Sequence, residues 1–397
     1  MKKKVLFINP YIPTLGGGEK HMAYMCQFVE KYYDYDVDID VLVHDYNNIK
    51  IEDEDYVTID DINNQFGLEL KCTKIRKEKL PPARNFFERR KNRLRVSEIS
   101  SEYDLMVNFK FMSNEVGKAK VNLYGCMFPV ERLATSRAWW KKPYAWGRDY
   151  QFYNSYDSFI ANSQYTYHWI EKYWKKDNKN CVIYPPVFSE NEIEGRYDES
   201  KKENIIVSVG RFFVGGHCKK QVDMVKFFIN HQEQFKSYEY HLVGACSNNP
   251  RDLAYLNKLK RLASTVDNVF IHENYPFSKL IDLYSRAKIF WHGTGYACDD
   301  ERQPQNMEHF GITTVEAMSY GAVPVVIRKG GQTETVQEGV NGFLWETEEE
   351  CVNKTLKLVE NDNLRKELAM KSTEKAKDYS IETFYRRNEE LFHELQL

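Results

Sequence analysis

The residues best suited to chemistry lie in Glu308-His-Phe-Gly-Ile-Thr-Thr-Val-Glu316, where two carboxylates in a Glu-x7-Glu spacing bracket a glycine. The pattern predicts a loop and then a short helix that opens at about Thr313 and closes before Gly321. Gly311 lets backbone come close to a ligand. The amides of Gly311, Ile312 and Thr313 would then point along the positive helix end, which makes a cradle for phosphate. Glu316, one turn in, can accept two hydrogen bonds from a ribose diol, and Glu308 can accept from sugar hydroxyls. The competing reading makes Thr313-x-x-Glu316 a capping box and Glu308 a solvated loop acid. Both compete for the same donors, because amides satisfied by a cap are closed to an anion.

A second feature has the same chemistry. A strand expected at 205–209 ends in Gly210-Arg211, and Lys219 and Lys220 follow the loop Phe212-Phe-Val-Gly-Gly-His-Cys218. An arginine and a lysine at the carboxyl end of a strand would neutralise a pyrophosphate as it gains charge on leaving; taken alone, such a pair is a solvated surface feature. Gly16-Gly-Gly-Glu19 after a first strand is a turn found in many folds. Asp299-Asp300 fits either a metal-bridging carboxylate pair or a solvated turn, and the polar loop around it favours the turn.

These residues need a frame. Short apolar runs at 5–8, 37–43, 105–109, 121–126, 158–161 and 182–184 predict strands, and helical periodicity covers 19–33 and 165–174. A polar stretch at 189–204 is the expected linker. A second series begins after it: strands at 205–209, 240–243, 269–272, 289–292, 323–327 and 342–345, with helices at 221–230, 253–264, 278–286, 313–320 and about 333–338 between them. Helices fill 348–379, and a last one at 381–395 carries Phe384, Leu391, Phe392 and Leu395 on one face, enough to dock on something. The alternation implies two doubly wound parallel sheets, with ligands at strand carboxyl ends and a cleft where the two domains face each other.

Composition bounds the rest. The chain has 397 residues, enough for two domains, and 56 basic against 58 acidic side chains give a net charge of −2, so no global field favours nucleic acid or lipid. With 42% hydrophobic and 14% aromatic residues it is globular, and its apolar runs fall far short of the ~20 residues of a membrane span. The charged start Met1-Lys-Lys-Lys leads into a strand rather than a signal peptide. Eight scattered cysteines with no Cys-x-x-Cys argue against a disulfide framework or zinc module, and point to a reducing cytosol.

Gly210-Arg211 with Lys219, Leu242-Val-Gly244, Glu308 with Glu316, and Gly330-Gly-Gln-Thr-Glu334 together resemble glycosyltransferase family 4, retaining enzymes of the GT-B fold. The likeness covers most of 205–345; in the first half it rests on Gly16-Gly-Gly-Glu19, Asn162-Ser163 and Tyr184-Pro-Pro-Val187. It implies an acceptor-side Rossmann-like domain at 1–195, a nucleotide-sugar-binding one at 196–378, and a helix at 379–397 docking back on the first. It further implies that Arg211 and Lys219 bind the donor diphosphate, with Lys220 as substitute, that Gly210 lies beside them, and that Glu316 holds the ribose. Glu308 would bind the donor sugar, the Gly311, Ile312 and Thr313 amides the phosphate, and the Gly16, Gly17 and Gly18 loop would close from the opposite domain. The reaction implied is transfer of a hexosyl group, mannosyl in the first instance, to a glycan or lipid-linked hydroxyl, with no metal or other cofactor. Glu308-His-Phe-Gly-Ile is similar to lipid-linked-oligosaccharide mannosyltransferases, which suggests GDP-mannose; a UDP-hexose or UDP-N-acetylhexosamine is the alternative, and a non-catalytic nucleotide-sugar-binding or membrane scaffold protein is the rival from another class. Many members carry a first-domain histidine near the sugar, often in His-x-Pro. Tyr124-Gly-Cys-Met-Phe-Pro129 has none, which leaves His21 and His292 as substitutes.

Residues 71–96 hold eleven basic side chains and two acids, with Phe86, Phe87 and Leu94 among them. Such a segment could rest on an anionic leaflet, placing a cytoplasmic protein peripherally at the inner face of the membrane; a solvated arm is the other reading. No nucleic-acid-binding module accompanies it. Aromatics are dense at 137–174, where Trp139 and Trp140 are candidates for stacking on an acceptor sugar.

Overall fold

The computed structural model describes residues 2–45, 50–53, 56–80, 85–131, 142–174 and 180–397. It divides into two compact units, Met1–Pro186 with Phe384–Leu397, and Val187–Thr383. Arg84, Trp139 and Trp140 lie outside the described residues.

The first unit runs β1 (Lys3–Ile8), α1 (Gly17–Tyr32), β2 (Val37–Val43), α2 (Ile59–Phe66), β3 (Thr73–Lys77), α3 (Phe86–Ser100), β4 (Leu105–Asn108), β5 (Val121–Cys126), α4 (Lys142–Asn154), β6 (Ser158–Ala161), α5 (Gln164–Tyr173) and β7 (Asn180–Val182). Its strands form one parallel sheet in the order β3-β2-β1-β4-β5-β6-β7, so β1 and β4 are the switch point where the order reverses. Val5 to Ile8 are buried at every position, as a central strand covered on both faces requires.

Part of the basic stretch, 73–77, is an edge strand. β3 pairs in parallel with β2, and its entry is pinned by the buried Glu30 carboxylate, which accepts from the Lys71 and Cys72 amides at 2.9 and 2.8 Å and from Thr73 Oγ1 at 2.7 Å. Charged residues on such an edge discourage pairing with another chain. Residues 86–96 of the stretch lie in α3, where Phe87 is 76% and Leu94 45% exposed.

The second unit runs α6 (Glu190–Ile193), β8 (Glu203–Val209), α7 (Gln221–Asn230), β9 (Glu239–Gly244), α8 (Pro250–Ala263), β10 (Val269–Glu273), α9 (Phe277–Arg286), β11 (Ala287–His292), α10 (Ile312–Ser319), β12 (Val323–Ile327), α11 (Gln332–Thr335), β13 (Phe343–Trp345), α12 (Glu348–Glu360), α13 (Asp362–Ala376) and α14 (Ile381–Glu394). The parallel sheet has the order β10-β9-β8-β11-β12-β13, with its switch point between β8 and β11. Alternate residues of the same strands serve two cores. Ile206, Ile289, Trp291 and Val325 join one, while Ile205, Val207, Phe290 and Val326 join the other. That is the two-residue strand period at work.

The polar stretch at 189–204 is no free linker. The unit boundary falls at Pro186 and Val187, ahead of the expected division at 195, because this segment packs on the second unit. Val187 donates its amide to Tyr379 O, and Arg196 lies over the Phe188 and Tyr320 rings at 5.2 and 5.0 Å. A Cβ on Gly321 would meet the Tyr197 ring at 2.3 Å. The polarity of the stretch is that of a covering segment whose charges are used.

α14 starts in the second unit and ends in the first. There Phe384 meets His21 edge-on at 5.4 Å, Phe392 meets Phe28 at 5.0 Å, and Tyr385 Oη donates to Gln27 at 2.5 Å. Its apolar stripe thus covers α1.

Candidate functional site

The carboxyl ends of β8 and β11 at the switch point carry the polar cluster of the second unit. β8 leads into Gly210, which has no side chain because the Lys219 stem crosses it: a Cβ there would meet Lys219 Cγ at 2.6 Å. Lys219 Nζ is thereby delivered to Glu308 Oε2 at 2.5 Å. β11 ends in His292, whose Nε2 lies 2.9 Å from the same oxygen. His217 Nε2 stands 3.6 Å from Glu308 Oε1.

Glu308 is only 9% exposed, so the solvated-acid reading does not hold. Burial pushes its carboxyl up, but the Lys219 charge, the nearby His217 and the hydrogen bond of His292 outweigh that and hold it well below the usual carboxylate range. Glycines fix its backbone. A Cβ on Gly330, at φ +61°, would meet Glu308 O at 2.2 Å, and one on Gly331 would meet His309 O at 2.4 Å; Gly331 also donates its amide to Glu308 O at 2.7 Å. Only glycine lets the backbones approach so closely.

A hydrogen-bond chain ties Glu308 to the start of α10. Thr314 Oγ1 donates to Gln332 Oε1 at 3.0 Å, Gln332 Nε2 faces His292 Nδ1 at 3.4 Å, and His292 Nε2 faces Glu308. The amide at one end and the carboxylate at the other set the tautomer: His292 accepts at Nδ1 and donates from Nε2. Burial lowers the His292 pKa against the pull of Glu308, so the ring is neutral.

α10 begins at Ile312 with Gly311 as its N-cap, at φ +100° and with no side chain capping it. Thr313 is the second helical residue, so the capping box of the competing reading is not built. A Cβ on Gly311 would strike Gln332 Nε2 at 2.6 Å. Glu316 lies one turn in, half-buried, and accepts from Tyr284 Oη at 3.3 Å.

Of the other expected residues, Arg211 is exposed, its guanidinium over the Phe213 ring at 5.2 Å, and it is not brought to Glu308. Gln221 Nε2 binds the Gly210 and Arg211 carbonyls at 3.0 and 3.1 Å and fixes that turn. Lys220 caps α7 in the left-handed region, at φ +56°. Asp299 Oδ1 accepts from the Glu301 and Arg302 amides, as in a turn, while Asp300 pairs with Lys329 at 3.3 Å.

Gly16, Gly17 and Gly18 belong to the first unit, after β1. Glu19 bends back to accept from the Gly16 amide and from Thr14 Oγ1, both at 2.9 Å, so α1 carries its own carboxylate at its positive end. His21 is buried between Phe109 and Phe384, and burial pushes its pKa down to about 3. It is a neutral core histidine.

The motif spacing brings out Glu308, Glu316 and Lys219 but not His217, Gln332, Thr314 or Tyr284, whose roles come from tertiary contact. The double glycine ahead of Gln332 was the available signal, since it marks a backbone pressed against another.

Residues 189–376, within the second unit, match the family model for glycosyl transferases group 1. The human GDP-Man:Man(3)GlcNAc(2)-PP-Dol alpha-1,2-mannosyltransferase is 29% identical over 205 residues, 49% of this chain and 39% of that protein. The Candida glabrata alpha-1,3/1,6-mannosyltransferase ALG2 is 26% identical over 254 residues, 57% of this chain and 54% of that one. The chain thus aligns with about two-fifths to half the length of these relatives. Among solved structures, Anabaena Alr3699/HepE in complex with UDP and glucose matches with a TM-score of 0.68 at 15% identity, over 99% of this chain and 100% of that one. The fold is GT-B.

Proposed function

Because residues 189–376 match the family model for glycosyl transferases group 1, we propose that the protein is a retaining glycosyltransferase moving a hexosyl group from a nucleotide-sugar to a glycan or lipid-linked hydroxyl. The observation that carries this reading is the buried, ionised Glu308, clamped by Lys219 and His292 beside an uncapped helix start, with Glu316 one turn further on.

Each part has a task in such a transfer. Glu308 accepts hydrogen bonds from the sugar hydroxyls, and its tie through His292 and Gln332 keeps it aimed at the sugar. Lys219 and Arg211 neutralise the diphosphate as it leaves, so these side chains supply the charge that a metal would otherwise bring. Lys220 adds to that field. The amides of Gly311, Ile312 and Thr313 bind phosphate, and Glu316, held by Tyr284, takes the ribose diol. Gly210 gives Lys219 its path. Mannose from GDP-mannose is favoured as donor, because the human and Candida glabrata relatives are mannosyltransferases.

We also propose a cytoplasmic protein, peripheral at the inner face of the membrane, with α3 as its contact. No helix among the described residues is long and apolar enough to cross a membrane. Phe87, Arg90, Lys91 and Leu94 recur at helical spacing on α3 and are exposed, a face suited to anionic headgroups.

The test is release of nucleoside diphosphate from GDP-mannose, UDP-glucose and UDP-N-acetylglucosamine in the presence of a lipid-linked or glycan acceptor. Arg211→Ala and Glu316→Ala should each lower kcat/KM by roughly 10²-fold, the scale for losing one charge-stabilising contact. A protein that binds a donor and never releases diphosphate is a scaffold, and near wild-type rates in both variants refute the site.

A further inference from the structure

The loop between β8 and α7 puts on Glu308 a third group able to carry positive charge, one to which the proposed transfer gives no task. His217 Nε2 lies 3.6 Å from Glu308 Oε1 and 3.3 Å from Lys219 Nζ. Its ring packs 4.9 Å from that of His309, and its Nδ1 is buried with no hydrogen-bond partner among the described residues. The preceding Gly216 is pressed on Asn306, where a Cβ would meet Oδ1 at 2.3 Å. The ring is therefore held at the carboxylate by its surroundings.

The titratable groups facing it are Lys219 from its own loop, Glu308 and His309 from the segment before α10, and His292 from the end of β11. Glu308 is the anion among them and Lys219 the cation; burial keeps His292 and His309 neutral. His292 already spends both ring nitrogens on Gln332 and Glu308. His217, with its side chain 28% exposed, can exchange a proton with solvent.

With Lys219 in its proposed role toward the donor, a diphosphate and Glu308 compete for one ammonium group. A carboxylate as buried as Glu308 cannot give up its cation without another taking its place. Resting on that role, we infer that His217 takes up one proton when a nucleoside diphosphate draws Lys219 from Glu308, so that donor binding and proton uptake are one equilibrium. The proton comes from solvent and adds to the imidazole; no bond of the donor is made or broken. His217 is thus a positioning residue that keeps Glu308 ionised and in place while Lys219 serves the phosphates.

Titration calorimetry of the full chain with GDP and with UDP, at about pH 8, reads the proton directly. The binding enthalpy should vary with the ionisation enthalpy of the buffer, with a slope of about one proton taken up per nucleotide, and affinity should fall about tenfold per pH unit above neutrality. In His217→Gln and His217→Asn the buffer dependence should vanish and the affinity become flat with pH. Glu308→Gln should also abolish uptake, because the charge that needs neutralising is gone. Nucleotide binding with no buffer dependence in the wild type overturns the inference and leaves the donor reading standing, as does uptake that persists in both His217 variants. If neither nucleotide binds, the donor reading falls and this inference with it.

Discussion

Lys219, half-buried, and Glu308, buried, depend on each other, and their energetics differ from those of a surface pair. Removing one partner leaves the other stranded in a poor dielectric, at a cost of about 3–5 kcal/mol, whereas replacing both with uncharged groups of similar size costs far less. Lys219→Met should therefore lower the melting temperature sharply, and Lys219→Met with Glu308→Gln should recover much of that loss while staying inactive. Denaturant melts of the two singles and the double measure the coupling; additive losses would mean that the pair is not held as described. The Glu-x7-Glu spacing and the lysine after a strand-end glycine were legible because helix pitch and strand ends have fixed geometry. His217 and Thr314 were not, because each reaches the site from a different segment and carries no mark of it in its neighbours; Gln332 is marked by the double glycine ahead of it. Arg211, expected to act with Lys219 on the diphosphate, lies with its guanidinium over the Phe213 ring and does not join the Lys219–Glu308 pair.

In the first unit β3 is held by a single buried side chain. Glu30 satisfies the amides that lead into β3, so Glu30→Ala strands the Lys71 and Cys72 amides and the Thr73 hydroxyl together. At about 1–3 kcal/mol for each buried polar group left unsatisfied, the loss should reach roughly 3 kcal/mol. Faster hydrogen exchange at the β2 and β3 amides, ahead of global unfolding, is the expected readout, and protection unchanged from wild type would contradict it. His21 sets a pH dependence. Its pKa is about 3 in the folded protein, through burial, against an ordinary value of 6.5. As pH falls below that ordinary value the unfolded chain binds a proton that the native chain refuses, so stability is lost downward from there, by up to roughly 1.4 kcal/mol per pH unit. His21→Phe should flatten that slope in melts taken from neutral pH toward acid. The strands of the second unit were readable because all but the edge strand β10 are apolar runs buried on both faces, closed by a polar or glycine-bearing loop. β3 and α3 were not, since an edge strand and a surface helix keep few apolar residues, and their basic side chains read as an arm.

For the whole molecule, a net charge of −2 hides an uneven distribution. Arg76, Lys79 and Arg95 are paired with Glu102, Glu52 and Glu78, which leaves the exposed Arg89, Arg90 and Lys91 as the outward charge of α3. Neutralising Arg89, Arg90, Lys91 and Arg93 should weaken binding to vesicles containing anionic lipid by an order of magnitude or more, at about 1 kcal/mol per basic residue, and leave donor hydrolysis intact. Equal binding by wild type and variant would show that α3 is not the contact. The division at Pro186 escaped the sequence because polarity alone does not separate a linker from a covering segment whose charges are paired.

The crossing of α14 has a consequence for biogenesis. Translation adds roughly 5–20 residues per second, so the first unit waits tens of seconds on the ribosome while Val187–Thr383 are made, before Phe384–Leu397 arrive to cover α1. The unit begun first is completed last. Nascent chains stalled short of Phe384 should leave the α1 aromatics bare and recruit chaperones.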